Sequence, residues 1–507
     1  MKNIKRYSFL LLLFGASSCG NEFGDLNVDP NNPSGVLVEF LLTQAERSIA
    51  TNISGTIASD ISGTDGLMLA QYWALHNYTG VTRYYIAGDW STMYASILRD
   101  LSEIEKITAE NLVIDPEIAK NQIAVAKVLK AYCFHSITDK WGPAPYSQSL
   151  KGIDLLSPAY DTQKDIYLGI IRDLNDALTQ MNLDPAYSPF GGGDVIYGGD
   201  MLKWKAFAHS LLLRIALRMS DTEEAEKAKT TLETNAAYAF TGNAQNAAFV
   251  WLNGAPNNNP LNQYLVLRGN VELGLSNILI DNTLLPLNDP RLPVWADEKV
   301  DGGGYRGRPY GQGDSEAAGD PVKNYSQPSG TAAVLAGTSF RPHDIVAPNA
   351  PSTLMNYAEV CFIKAEAAQR GWNAGGTVEF WYNEGITASM HEWGIADPGM
   401  IDAYLSQEKV AYSTAEGDWK QKIGVQKWLA LFMQGAQGWA EWRRLDFDKL
   451  MKPVGSPVSP DIGNNIAPLR LPYPLSEQSL NNNGYLQGVS KLGGPDKIST
   501  RLWWDVH

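Results

Sequence analysis

The residue pattern predicts a mostly α-helical fold, a helical-repeat scaffold interrupted by one large loop-rich insertion, on three observations. Apolar residues recur at helical spacing in separate stretches. Val125, Val128, Leu129 and Tyr132 fall at i, i+3, i+4 and i+7, and Leu354, Ala358, Cys361, Phe362 and Ala365 trace a second stripe. Those faces are rich in alanine, which lets neighbouring helices approach closely. Between them, over roughly 240–350, the periodicity stops and Asn257-Asn258-Asn259-Pro260, Gly302-Gly303-Gly304 and scattered Pro and Gly take over. A loop-rich block of this size in a helical protein is usually functional. The helices read as helix–turn–helix units of tetratricopeptide type, although no strict repeat of about 34 residues is visible.

Taken in order, residues 1–18 open on Lys2, Lys5 and Arg6 and continue through Leu10–Leu13 to Gly15-Ala16-Ser17-Ser18. A basic start, a short apolar run and small residues describe a secretory signal. The run is too short for a bilayer, which needs roughly 20 residues. Cys19 follows directly, and this arrangement resembles the lipobox of bacterial lipoproteins. The resemblance implies that residues 1–18 are removed and that Cys19 carries a lipid; an ordinary signal with an accidental cysteine is the competing reading. Residues 19–33 form a polar tether with turn chemistry. Residues 34–507 are expected to form one domain, with helical repeats at about 90–235 and 351–447 around the insertion. Ser34 could cap a first helix running to about Ala50, and Thr51–Asp89 reads as loop and short helix. A helix is expected from roughly Pro116 to Asp139, the next is marked by Ile166, Ile170 and Leu174, and another by Trp204, Phe207 and Leu211. The stretch from Gly455 to His507 reads as loop.

The chain carries a net charge of −14, a pI near 5.0 and no Lys/Arg-rich block, so it has no electrostatic reason to hold nucleic acid. Fifteen Trp, 23 Tyr and 14 Phe, with many Asn and Gly in loop-like segments, suit a domain that offers aromatic faces and amides to a polar ligand. Beyond Cys19, Cys133 and Cys361 sit in apolar helical patterns and read as buried free thiols rather than a disulfide. His76, His135, His209, His343, His391 and His507 show no zinc-ligand spacing, and His391-Glu392 lacks the second histidine of a metalloprotease helix. There is no G-x-S-x-G elbow and no Walker loop, and Gly191–Gly193 and Gly302–Gly304 read as turns. Asp60 and Asp65 could form a glycosidase pair, but sequence does not give their separation. No catalytic residue, metal or cofactor is therefore expected, and the chain reads as a binder.

Several blocks together resemble the SusD/RagB family, in its SusD-like branch. They are Leu26-Asn27-Val28-Asp29-Pro30-Asn31-Asn32-Pro33; Phe134-His135-Ser136-Ile137-Thr138-Asp139-Lys140-Trp141-Gly142-Pro143-Ala144-Pro145-Tyr146; Tyr357 through Ala367; Trp439-Ala440-Glu441-Trp442-Arg443-Arg444; Arg470-Leu471-Pro472-Tyr473-Pro474; and Thr500-Arg501-Leu502-Trp503-Trp504-Asp505. They run in order over nearly the whole chain. The resemblance implies a tetratricopeptide-like scaffold with a loop-rich, ligand-binding insertion. It also implies a lipid-anchored protein on the outer membrane, facing the cell exterior. There it would act as the capture lid of a SusC-like TonB-dependent transporter, taking oligosaccharides or, in some members, peptides. A secreted glycoside hydrolase is the remaining alternative. Some members carry calcium, but no D-x-D-x-D-G loop is present here. Asp139, Trp141, Arg443, Arg444, Trp503 and Trp504 read as scaffold, and so does Trp295.

Sugars present an apolar C–H face and a rim of hydroxyls, so their sites combine aromatic platforms with amide and guanidinium donors. Two segments have that mixture. One carries Gln71, Trp73, His76, Asn77, Tyr78 and Arg83, in a region that tends to reach the ligand face in the family. The other, Tyr305-Arg306-Gly307-Arg308-Pro309-Tyr310, contributes Tyr305, Arg306 and Tyr310. The competing readings are core aromatics packed near Trp90 for the first segment and a solvated loop for the second.

Overall fold

Several of the main helices begin where the sequence supplies a side chain to cap them. In the computed structural model, which describes residues 37–52, 65–110, 114–270 and 272–507, Asp115 accepts from the Ile118 amide at 3.2 Å, with Pro116 in the first turn. Thr162, Asp200, Asn356, Thr377 and Asp418 cap later helices in the same way. The signal segment 1–18, Cys19, the tether 19–33 and Ser34 lie outside the described residues.

The main helices are α1 (Val38–Asn52), α2 (Arg99–Glu110), α3 (Pro116–Trp141), α4 (Gln163–Gln180), α5 (Met201–Arg218), α6 (Ala225–Asn235), α7 (Tyr357–Gln369), α8 (Val378–Glu392), α9 (Trp419–Ala430) and α10 (Gly435–Leu445). Each of α1 to α5 packs on the next, α6 packs on α5, and α7 packs on α8 and α9. Contact between α5 and α7 joins the two helical halves across the insertion. The fold is thus the mostly helical, tetratricopeptide-like scaffold that the apolar stripes predict. The helix expected from Pro116 to Asp139 runs to Trp141, where Gly142 at φ 87° ends it.

Within 236–351 the described helices are at most six residues long. Short antiparallel ladders organise the loops instead: β1 (Trp73–Leu75) with β5 (Leu273–Leu275), β2 (Ala144–Pro145) with β3 (Tyr160–Asp161), β4 (Ala247–Phe249) with β8 (Ser352–Met355), and β6 (Ala296–Asp297) with β7 (Gln327–Pro328). Beyond residue 455 the structure departs from the expected loop. Asn482–Lys491 is a helix, because Asn481 turns its side chain onto the Gly484 amide and caps it.

The blocks that resemble the family hold one another. Trp141 Nε1 donates to the Pro472 carbonyl at 2.9 Å, Tyr473 Oη donates to that of Pro143 at 2.8 Å, and Arg470 donates to that of Trp141. Gly88 is required beside them, since a Cβ there would lie 1.9 Å from the Pro472 oxygen. Arg443 is buried between Trp439 and Trp504, its guanidinium 3.6 Å and 4.8 Å from their ring centroids. Trp295 is buried and stacked on Phe432 at 4.2 Å. Cys133 and Cys361 are free and buried, and burial pushes the Cys361 thiol up to about 12.

Candidate functional site

The two aromatic segments of the sequence lie far apart in the chain, yet one strand brings them together. β1 pairs with β5 in the register Trp73↔Leu275, and the His76 amide extends the ladder by donating to the Glu272 carbonyl at 2.7 Å. On the other edge of β5 the Arg308 amide donates to the Leu275 carbonyl at 2.8 Å, and the Asn277 amide donates to the Arg308 carbonyl at 2.8 Å. Residues 73–76 and 306–308 therefore flank the same strand. Gly307 sits where a Cβ would meet the Ser276 carbonyl oxygen at 2.3 Å, so that close approach needs glycine.

The nine candidate ligand residues divide sharply by burial. Gln71 and Trp73 are 0% exposed and Tyr310 is 1% exposed, so none of the three presents a surface to a ligand in this structure. Each is held in the core by its own polar atoms or neighbours. Gln71 bridges to the Tyr84 hydroxyl at 3.0 Å and the Met451 carbonyl at 2.7 Å, and Tyr310 donates to the Met68 carbonyl at 2.7 Å. Trp73 belongs to the main apolar cluster. Arg83 is buried as well and acts as a strut, pairing with Asp314 at 2.5 Å and donating to the Pro457 carbonyl at 3.0 Å. For these four, burial decides the role: Trp73 is a core aromatic, whereas the burial of Tyr310 departs from the solvated loop that is the competing reading of its segment.

The other five form the accessible rim. Tyr78 is 74% exposed and is held outward by a left-handed backbone at φ 52°. His76, Asn77 and Tyr305 are half-buried, and Arg306 is exposed. Thr79 ties this loop to Asp314 through its amide at 2.8 Å and its hydroxyl at 3.0 Å. Behind the rim, the guanidiniums of Arg306 and Arg308 lie 4.9 Å and 4.4 Å from the Tyr325 ring centroid, while the Tyr325 hydroxyl bonds to Asp320. Burial lowers the pKa of His76, the Arg308 charge lowers it further and Asp320 opposes both. The imidazole is therefore neutral at pH 7, and its Nδ1 is buried without a hydrogen-bond partner.

Arg308, within the second candidate segment, stands behind this rim with Asp320 and Tyr325, which lie outside both segments. Tyr325 is a lone ring in a Pro- and Asn-rich loop, and its only sequence signal is an acid five positions earlier. Chemically, the rim offers a phenol face, an amide, a neutral imidazole and a guanidinium. That is a set for hydrogen-bonding a polar ligand with one apolar face. Asp60 lies outside the described residues, so the imagined Asp60–Asp65 pair has no geometry here. Among the described residues, no three His, Cys, Asp or Glu side chains gather to hold a metal ion. Among the same residues, no helix is long and apolar enough to cross a membrane.

Fold and rim together define a helical-repeat protein that displays a loop-built face. Residues 30–474 match the SusD-like family described as "Starch-binding associating with outer membrane", and the chain belongs to that family. A solved structure named a chitin-binding protein is 25% identical, with a TM-score of 0.76 over 93% of this chain and 100% of its own. A SusD homologue from Bacteroides uniformis is also 25% identical, with a TM-score of 0.75 over 92% and 100%. A chitin-binding SusD homologue from Flavobacterium johnsoniae shares the fold at 24% identity, with a TM-score of 0.76 over 92% and 99%. No curated protein matches the chain in sequence.

Proposed function

We propose that this protein is a lipid-anchored glycan-binding protein of the outer membrane, facing the cell exterior. It captures oligosaccharides as the lid of a SusC-like TonB-dependent importer. The observation that carries the binding reading is the exposed Tyr78 ring next to Asn77 and His76 in the chain, with Arg306 exposed on the segment that flanks the other edge of β5. The family description and the chitin-binding names of two structural relatives support a glycan as the ligand. The absence of a readable catalytic motif agrees with a lid, since import energy would come through the barrel.

Sugar sites of this kind exchange water hydrogen bonds for protein ones at little net gain, so each contact contributes about 1 kcal/mol. Tyr78→Ala and Arg306→Ala are accordingly expected to weaken a bound oligosaccharide about fivefold each, corresponding to about 1 kcal/mol. Calorimetric titration against starch-derived, chitin-derived and other oligosaccharides measures this. Unchanged affinity in both folded variants would reject the rim as the site. Binding of peptide mixtures in place of every glycan would move the protein to the peptide-binding alternative.

Cys19 would serve as the anchor alone. Cys19→Ser is expected to move the protein out of the membrane fraction while leaving ligand affinity intact. Retention in that fraction would exclude lipidation at Cys19.

A further inference from the structure

A second cavity opens where the end of α8, strand β8 and the segment after residue 432 meet. It shares no lining residue with the Tyr78 rim. Its volume is about 70 Å³, roughly the share of two water molecules. Leu261, Ile345, Trp393, Phe432 and Met433 line it, and Glu392 lines it with them. The Trp393 and Phe432 rings stand 5.9 Å apart and are backed by Trp295, 4.2 Å from Phe432.

The polar side of this cavity is unbalanced. Glu392 accepts from Asn356 Nδ2 at 2.7 Å and lies 3.5 Å from the Thr353 hydroxyl, both neutral groups. The charges nearby are already engaged with each other. Asp344 accepts from the Arg341 amide at 2.7 Å and from its Nε at 3.0 Å, while Arg341 also pairs with Asp297 at 2.9 Å. Among the described residues, no Lys or Arg forms an ion pair with Glu392.

The mouth is built with strained backbone. His343 and Met433 both line the cavity and adopt left-handed conformations, at φ 68° and 69°. Gly394, at φ 77°, lets the His343 ring approach to where a Cβ would stand only 2.6 Å away. Non-glycine residues in this region are strained, and such strain concentrates at ligand sites.

We propose that this cavity binds a primary ammonium group on a short carbon chain, with Glu392 as its counter-ion and Trp393 and Phe432 as its walls. Aromatic faces attract a desolvated cation, and an enclosed carboxylate without a cationic partner gains most from one. A hydroxyl of the same size would leave the carboxyl uncharged and gains neither term. The ammonium can come from an amino sugar or from a peptide amine.

Calorimetry on the full chain tests this with ethylammonium chloride and its neutral isostere ethanol. Ethylammonium is expected to bind and ethanol to be silent, with Glu392→Gln weakening ethylammonium at least tenfold. No binding of ethylammonium, or equal binding of ethanol, would overturn the proposal. Should the variant fail to fold, proton release by the wild-type chain still decides. The Glu392 carboxyl titrates at about 7, so binding at pH 6 should release close to one proton, read from heats in buffers of different ionisation enthalpy. The groups that line the pocket or lie beside it are Thr353, Asn356, His343, Asp344 and Arg341; binding without proton release would exclude Glu392 as the counter-ion. Glucosamine against N-acetylglucosamine, and lysine against its Nε-acetyl form, separate the two sources. In either pair, an acetylated form that binds as tightly as its amine would refute recognition of the ammonium. Loss of glycan binding at the Tyr78 rim would leave these outcomes unaffected.

Discussion

Replacing Glu441 with alanine is expected to remove about 3–5 kcal/mol of folding stability. The carboxylate lies buried in α10 at the centre of three cations. Arg444 reaches it at 2.7 Å, Lys427 pairs with it at 3.0 Å, and Arg218 bonds to its other oxygen. Arg218 continues to Asp139 at 3.1 Å, and Arg444 continues to Glu366 at 2.5 Å. The network therefore joins α3, α5, α7, α9 and α10. Truncation at Glu441 would leave buried Lys427 without its carboxylate, and an uncompensated buried charge costs far more than an exposed pair contributes. A shift in the urea midpoint at unchanged slope measures the loss; a loss below about 1 kcal/mol would show that water enters the network. Burial by itself would raise the Glu441 pKa, but Arg444, Lys427 and Arg218 overcome it and hold the carboxyl well below its usual range. A depressed carboxyl stabilises fully above its unfolded pKa, about 4.5, and that contribution disappears as pH falls through the folded value. Glu441→Gln should accordingly flatten the acid limb of the stability profile.

The scaffold was legible because its signals are local. Apolar stripes such as Val125, Val128, Leu129 and Tyr132 need only helical geometry to become one buried face, and Asp115-Pro116 announces the start of that helix. The sequence blocks 138–146 and 470–474 were readable as scaffold, and the structure shows them hydrogen-bonded to each other. What failed was composition used as a proxy for local structure. The Asn-rich run at 481–483 looked like loop, whereas a single Asn side chain facing an amide caps a helix there.

The candidate site was legible only in half. Both segments were found, but which rings face outward depends on a ladder that neither segment encodes alone. Trp73 lies in a strand whose three residues are all buried, so its aromatic character serves packing. Tyr78 escapes because the chain turns left-handed just past the ladder's end. Tyr325 and Asp320 gain their meaning from Arg306 and Arg308, which the bridge to β5 sets beside the Tyr325 ring. Such tertiary placement leaves no period in the sequence.

Glu392→Gln is expected to raise stability relative to the wild-type chain as pH rises from 5 to 8, by at most about 3 kcal/mol. Although the residue is half-buried, its carboxyl group is enclosed, and that burial raises its pKa from 4.5 to about 7 against the opposing bonds from Asn356 and Thr353. The folded protein therefore keeps this proton up to about pH 7, while the unfolded chain loses it near 4.5. Between those values unfolding releases a proton, so stability is complete at the acid end and declines as pH climbs through the folded pKa. Glutamine keeps the acceptor that Asn356 needs and has no proton to lose, so the variant escapes the decline. Asp505, raised to about 6 by burial against the pull of Arg501 and Arg443, contributes a decline of the same sign in both proteins and cancels in the comparison. Melting temperatures of the two proteins at pH 5, 6, 7 and 8 supply the measurement. A constant difference across that range would mean that Glu392 is already ionised in the fold. A short-chain ammonium bound in the cavity should narrow the difference at pH 8, because it stabilises the one form of Glu392 that the empty fold disfavours.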